Sequence, residues 1–91
     1  MEKKDIHSLN LMLTIDQVSQ LAGVKKNTLR YWEKKYEEFL NPARSQTGRR
    51  KYSLKDLNMI EAIKILLEKE NLTYKGVRLW LAAEAVEKGT P

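Results

Sequence analysis

Nine cationic side chains crowd into residues 25 to 51: Lys25, Lys26, Arg30, Lys34, Lys35, Arg44, Arg49, Arg50 and Lys51. Only Glu33, Glu37 and Glu38 oppose them there, so the segment carries +6 in a chain whose net charge is +5. Segregated positive charge is the chemistry of polyanion binding, because each Lys or Arg that neutralises a phosphate releases condensed counterions. Within the stretch, Lys26, Asn27, Arg30, Tyr31 and Lys34 recur at helical spacing and share one face. That face combines cations suited to phosphate with an amide and a phenol able to hydrogen-bond base edges or backbone. Tyr31 leaves two readings open, a contact on this face or a half-buried aromatic beside Trp32. A solvated lysine-rich surface would carry the same charge, so the elements that position these residues must decide.

Other chemistries find little support. The single histidine, His7, sits in the N-terminal leader and reads as a bystander, and there is no cysteine to form a thiolate zinc cluster, a disulfide or a nucleophile. No Ser or Lys has a recognisable base and orienting group. Glu37 and Glu38 are adjacent rather than facing, and Glu33 reads as a partner for Arg30, Lys34 or another neighbour. The glycines at 23, 48, 76 and 89 match no phosphate-cradling loop. The expectation is a protein that is not an enzyme and has neither metal nor cofactor.

The elements follow from caps and periodicity. Thr14 with Gln17 three residues on, ahead of Ile15, Val18, Leu21 and Ala22, reads as a capping box opening a short helix that Gly23 stops. Val24 and a second helical pattern follow at once, which is the sequence form of a helix-turn-helix over 14–36. In the second helix, Leu29, Trp32 and Tyr36 form the inward face. Pro42 excludes helix, and Ala43-Arg44 and Arg50-Lys51-Tyr52 flank the turn residues Ser45, Gln46, Thr47 and Gly48, giving a basic hairpin, a wing, over 42–52. Tyr52 is expected to lean on the helices while the arginines face outward. Ser53 with Asp56 opens a third helix over 54–70, which carries Leu57, Ile60, Ile63, Leu66 and Leu67. Asn71 breaks it, Thr73 caps again, and Val77, Trp80, Leu81 and Ala85 mark a fourth helix over 74–88.

The predicted fold is therefore mainly α: a winged helix-turn-helix with four helices and a small two-stranded β-hairpin wing. Ninety-one residues suit one small domain, here 12–88, between a flexible leader 1–11 and a tail 89–91. The longest apolar run, Leu79 to Ala83, is far short of the roughly 20 residues that cross a bilayer. A cytoplasmic setting fits the absence of cysteine.

Several separated motifs then agree in order: Leu13-Thr14-Ile15, Leu21-Ala22-Gly23-Val24, Thr28-Leu29-Arg30-Tyr31-Trp32-Glu33, Pro42-Ala43-Arg44, Gly48-Arg49-Arg50-Lys51-Tyr52-Ser53 and Leu57. Over residues 12 to 82 the chain resembles the DNA-binding domain of MerR-family transcription regulators. The resemblance implies a bacterial DNA-binding protein that holds operator duplex as a homodimer, its second helix in the major groove and its wing along the backbone, with RNA polymerase as a further partner. The family's phosphate-gripping arginine corresponds to Arg30, with Tyr31 beside it. Its wing Arg and Tyr correspond to Arg44, Arg49 or Arg50, and Tyr52. Base reading falls to Lys25, Lys26, Asn27 and Thr28. The chain departs from the family in opening the second helix with Lys25-Lys26 and in a longer connection between Glu33 and Pro42.

Full-length members continue into a dimerising helix, so a chain ending at Pro91 reads as a domain cut from a longer regulator, ahead of a naturally minimal protein. Met59, Ile65, Leu79 and Val86 fall off the main apolar stripes, as surface awaiting such an element would. Two other functions fit the same residues: an excisionase-like architectural DNA-binding protein of a mobile element, and a protein-docking module using the third and fourth helices.

Overall fold

The computed structural model describes residues 11–89, and side chains to residue 85. His7, the side chain of Val86 and nearly all of the leader and tail lie outside what it describes. Four helices and one hairpin follow in order: α1 (Ile15–Ala22), α2 (Lys26–Lys35), β1 (Ala43–Arg44), β2 (Arg50–Lys51), α3 (Leu54–Glu68) and α4 (Tyr74–Gly89). Contacts divide the chain into two compact units with the boundary inside α3, after Ile60.

In the first unit, the caps foreseen in the sequence set the helix ends. Thr14 Oγ1 accepts from Gln17 N at 3.1 Å and Gln17 Oε1 accepts from Thr14 N at 2.8 Å, so two otherwise orphaned donors are satisfied reciprocally. Gly23 ends α1 in the left-handed region at φ 70°, where a Cβ would be strained, and its N–H bonds back to Ser19 O. The Ser19 hydroxyl donates to Val24 O at 2.6 Å and closes the turn into α2. Helix α2 starts without such help: Lys25 occupies the cap position and makes no side-chain cap bond.

Val18, Ala22, Val24, Leu29, Trp32, Tyr36, Leu40, Tyr52 and Ile60 are buried in this unit. Leu21, grouped with the apolar set of α1 from spacing, is exposed, because Val18 and Ala22 alone complete the inward stripe of a two-turn helix. The connection after α2 folds on itself, with Phe39 N and Leu40 N both donating to Tyr36 O. The hairpin pairs Ala43 with Lys51 and Arg44 with Arg50, antiparallel. Gly48 at φ 85° serves the turn. A third strand segment joins it at one point: Leu13 and Tyr52 exchange both backbone hydrogen bonds, at 2.7 and 2.8 Å.

Ser53 and Asp56 cap α3 reciprocally, as their spacing predicts. In the second unit α3 ends at Glu68, two residues before the expected 70, and Asn71 takes a left-handed φ of 57°. Thr73 Oγ1 accepts from Gly76 N and opens α4. Ile63, Leu66, Val77 and Leu81 are buried here. Trp80 departs from the expected buried stripe at 45% exposure, because Val77 and Leu81 stand in line one turn apart and Trp80 lies to one side of them. It borders an apolar groove with Ala62, Ile65, Leu66 and Leu72. Of the residues expected off the stripes, Leu79 and Ile65 are exposed and Met59 is partly covered.

The Thr14 box ties the chain entering from Leu13 to the first turn of α1. Thr14→Ala should cost about 1 kcal/mol, read as a lower urea midpoint at unchanged m-value; an unchanged midpoint would mean that the Leu13–Tyr52 bridge alone fixes this entry.

Candidate nucleic-acid interface

Helix α2 turns Leu29, Trp32 and Tyr36 inward, which obliges Lys26, Asn27, Arg30, Tyr31 and Lys34 to face out. Tyr31 is 46% exposed with the Lys35 ammonium 6.0 Å from its ring centroid, so of its two readings the structure places it on the outer face. Arg30 Nη1 donates to Asn27 Oδ1 at 2.9 Å, which orients both side chains one turn apart. Lys25, Lys26 and Asn27 are exposed and Thr28 is partly so.

The wing brings its arginines to that same face. Asn27, Arg30, Tyr31 and Lys34 of α2 line an open groove of about 590 Å³ together with Arg44 and Arg50 of the wing. A second groove, about 450 Å³, is lined by Thr14, Ile15 and Asp16 at the start of α1, Lys26 and Arg30 of α2, and Gly48, Arg49 and Arg50 of the wing. Arg30 and Arg50 border both grooves. The cations from two separated stretches therefore share one side of the first unit.

Four of the expected site residues carry further bonds that spacing did not foresee. Arg50 Nε donates to Glu33 Oε1 at 2.7 Å, with the two side chains only 21% and 11% exposed. The Tyr52 hydroxyl donates to the other oxygen of the same carboxylate, Glu33 Oε2. The resemblance sets Tyr52 among the phosphate contacts and its place in the hairpin sets it against the helices; it has no exposed surface, and its hydroxyl is turned inward to the carboxylate. Lys26 pairs with Asp16 at 2.6 Å on the surface, and this ion pair holds the Asp16 carboxyl below its usual range. Arg44 Nη1 donates to Gly48 O at 3.1 Å and stiffens the hairpin turn.

Glu33 is the site residue that sequence reasoning passed over. Its available signal was weak: a lone carboxylate in a helix otherwise rich in cations, whose partners lie 17 and 19 residues away.

This pattern of elements is specific. The profile of MerR HTH family regulatory proteins matches residues 13–84, from the strand segment at Leu13 through most of α4. The chain belongs to the MerR HTH regulatory family. A comparison with curated proteins finds no match. Family membership makes this winged helix-turn-helix a DNA-binding transcription regulator, acting on double-stranded DNA. No described helix is long and apolar enough to cross a membrane, and among the described residues no three His, Cys, Asp or Glu side chains gather to hold a metal ion.

Burial and the bond to Glu33 push the Tyr52 phenol well above its ordinary value of 10. A raised folded value means that the stabilisation is fully present below pH 10 and is lost as pH climbs, because the unfolded chain releases this proton first. Between pH 9 and pH 11 the wild-type protein should lose about 1.4 kcal/mol more stability than Tyr52→Phe. Urea titrations at the two pH values check this, and equal losses would place the hydroxyl in contact with solvent.

Proposed function

We propose that the MerR-family chain binds duplex DNA in a sequence-specific manner, with α2 in the major groove and the β1–β2 wing along the phosphate backbone. The observation that carries the reading is the convergence of Arg30 and Lys34 from α2 with Arg44 and Arg50 from the wing on one groove, with Lys26 and Arg49 on the groove beside it. A duplex presents phosphates on both sides of its major groove, so a reading helix flanked by a basic appendage meets charge at two places at once.

Within this reading Arg30, Tyr31, Arg44, Arg49 and Arg50 contact phosphate. Lys25 at the cap position and Lys26, Asn27 and Thr28 in the first turn of α2 form the part of a recognition helix that reaches base edges. Tyr52 acts from inside by anchoring the wing. Specificity of the order a genome requires exceeds what one short helix supplies, so two copies on paired half-sites complete the operator complex. RNA polymerase is the further partner of a regulator acting in this way. The protein works without catalysis, in the cytoplasm where the DNA lies.

Phosphate contacts and base contacts separate in salt titrations. Arg30→Ala should weaken binding to all duplexes alike and make the log–log salt dependence shallower by roughly one unit. Asn27→Ala should instead change which sequence wins a selection from random duplexes, costing about 1–3 kcal/mol at the affected base pair. An unchanged slope in the first variant rejects the phosphate role, and an unchanged preference in the second rejects the reading role.

A further inference from the structure

Glu33 presents a problem for a surface that receives a polyanion. It places a carboxylate beside the groove that also holds Arg30, Lys34, Arg44 and Arg50, where a negative charge opposes phosphate. Glu37 lines the same groove and is exposed to solvent. Glu33 is different: both of its oxygens are engaged, one by Arg50 Nε and the other by the Tyr52 hydroxyl, across 17 and 19 residues of chain.

The bond to Nε is the informative one. A guanidinium held along its Nε edge has its remaining N–H groups fixed in direction by the planarity of the group. Arg50 borders both grooves, so fixing it sets a cation at the junction of helix and wing before any ligand arrives. Ordering a long side chain beforehand removes an entropy loss from the binding step. The Glu33 carboxylate is already paired with the Arg50 guanidinium at 2.7 Å, which offsets its repulsion of phosphate, whereas loss of orientation acts at contact. Positioning therefore outweighs repulsion.

Resting on the DNA-binding reading above, we propose that Glu33 is a positioning residue for backbone recognition: it holds Arg50 by Nε and Tyr52 by its hydroxyl, so that wing and recognition helix grip phosphate as one rigid unit. Glu33 touches no DNA in this role. It acts through Arg50.

The test turns on sign. Glu33→Gln and Glu37→Gln each remove one negative charge from the same groove, and charge alone would make both bind more tightly. An amide offers one acceptor oxygen where Arg50 and Tyr52 use two. With a fluorescein-labelled mixed-sequence duplex and the full chain, between about 50 and 200 mM salt, Glu33→Gln should bind about 5- to 10-fold more weakly. Its salt slope should be shallower by roughly one phosphate, while Glu37→Gln binds as tightly as wild type or tighter. Adding Glu33→Gln to Arg50→Ala should weaken binding no further than Arg50→Ala alone, a coupling that mere loss of wing stability would not produce. Should Glu33→Gln fail to fold, Arg50→Lys takes its place: it keeps the charge but not the forked geometry and should lose the same unit of slope.

Glu33→Gln matching Glu37→Gln, additive losses in the double variant, or Arg50→Lys matching wild type would each overturn the assignment. If wild type and Arg30→Ala behave as the DNA reading expects and Glu33→Gln does not, only the role of Glu33 falls. If wild type shows no salt-dependent duplex binding, both fall.

Discussion

A two-stranded hairpin of two residues per strand cannot hold its own shape in water, so everything the wing contributes depends on what ties it down. One residue, Tyr52, ties it down with both its ends. Its backbone exchanges two hydrogen bonds with Leu13, in the segment that leads into α1. Its buried hydroxyl reaches Glu33 on α2. Three segments distant in sequence thus meet at one aromatic residue, and the Glu33 carboxylate extends the tie to Arg50, two residues before Tyr52. A ring buried on all sides tolerates little displacement, and this makes the wing's approach to α2 a property of the core and not of the hairpin.

The charge distribution follows a similar division of labour. Residues 1 to 60 hold all of the chain's excess, +5, while residues 61 to 91 balance at five basic and five acidic groups. Within the basic unit, carboxylates near the grooves have partners of different worth. The Asp16–Lys26 pair is exposed on both sides, and exposed pairs contribute little and weaken in salt. The Glu33–Arg50 pair is largely withdrawn from water, so its loss would leave partly buried charge unsatisfied. Of the two, only the second has the geometry to define structure.

Much of this architecture was legible in the chain because it is local. Thr14 with Gln17, Gly23, and Ser53 with Asp56 each announce a helix end through contacts within three or four residues, and the structure uses all of them. The outward face of α2 was legible too, since Leu29, Trp32 and Tyr36 leave only one side for Lys26, Asn27 and Arg30. What escaped is non-local. Spacing offered Glu33 the neighbours Arg30 and Lys34, but the path of the hairpin brings it Arg50 and Tyr52 instead. Tyr52 was legible as a residue that leans on the helices, and it is buried; the resemblance set it among the phosphate contacts because position in a motif says that a tyrosine is present, not which way its hydroxyl turns. Trp80 and Leu21 were misplaced for another reason. An apolar stripe wide enough to include them fits the periodicity, and only the partner surface decides where the stripe ends.

The start of α2 breaks a local rule at the place where function is proposed. A helix N-terminus carries partial positive charge and favours Asp, Ser or Thr there, yet this one opens on Lys25 and Lys26 with no side-chain cap. Asp16 from α1 reaches Lys26 and supplies part of the missing negative charge across the turn. Natural sequences keep such conflicts where a binding partner resolves them. Under the proposed reading the partner is the DNA: its negative field meets an uncapped helix end and two lysines that reach for base edges. The cost in the free protein, modest at an exposed terminus, becomes a gain in the complex. The same residues that make α2 a poor helix at its first turn make that turn the part best suited to face DNA.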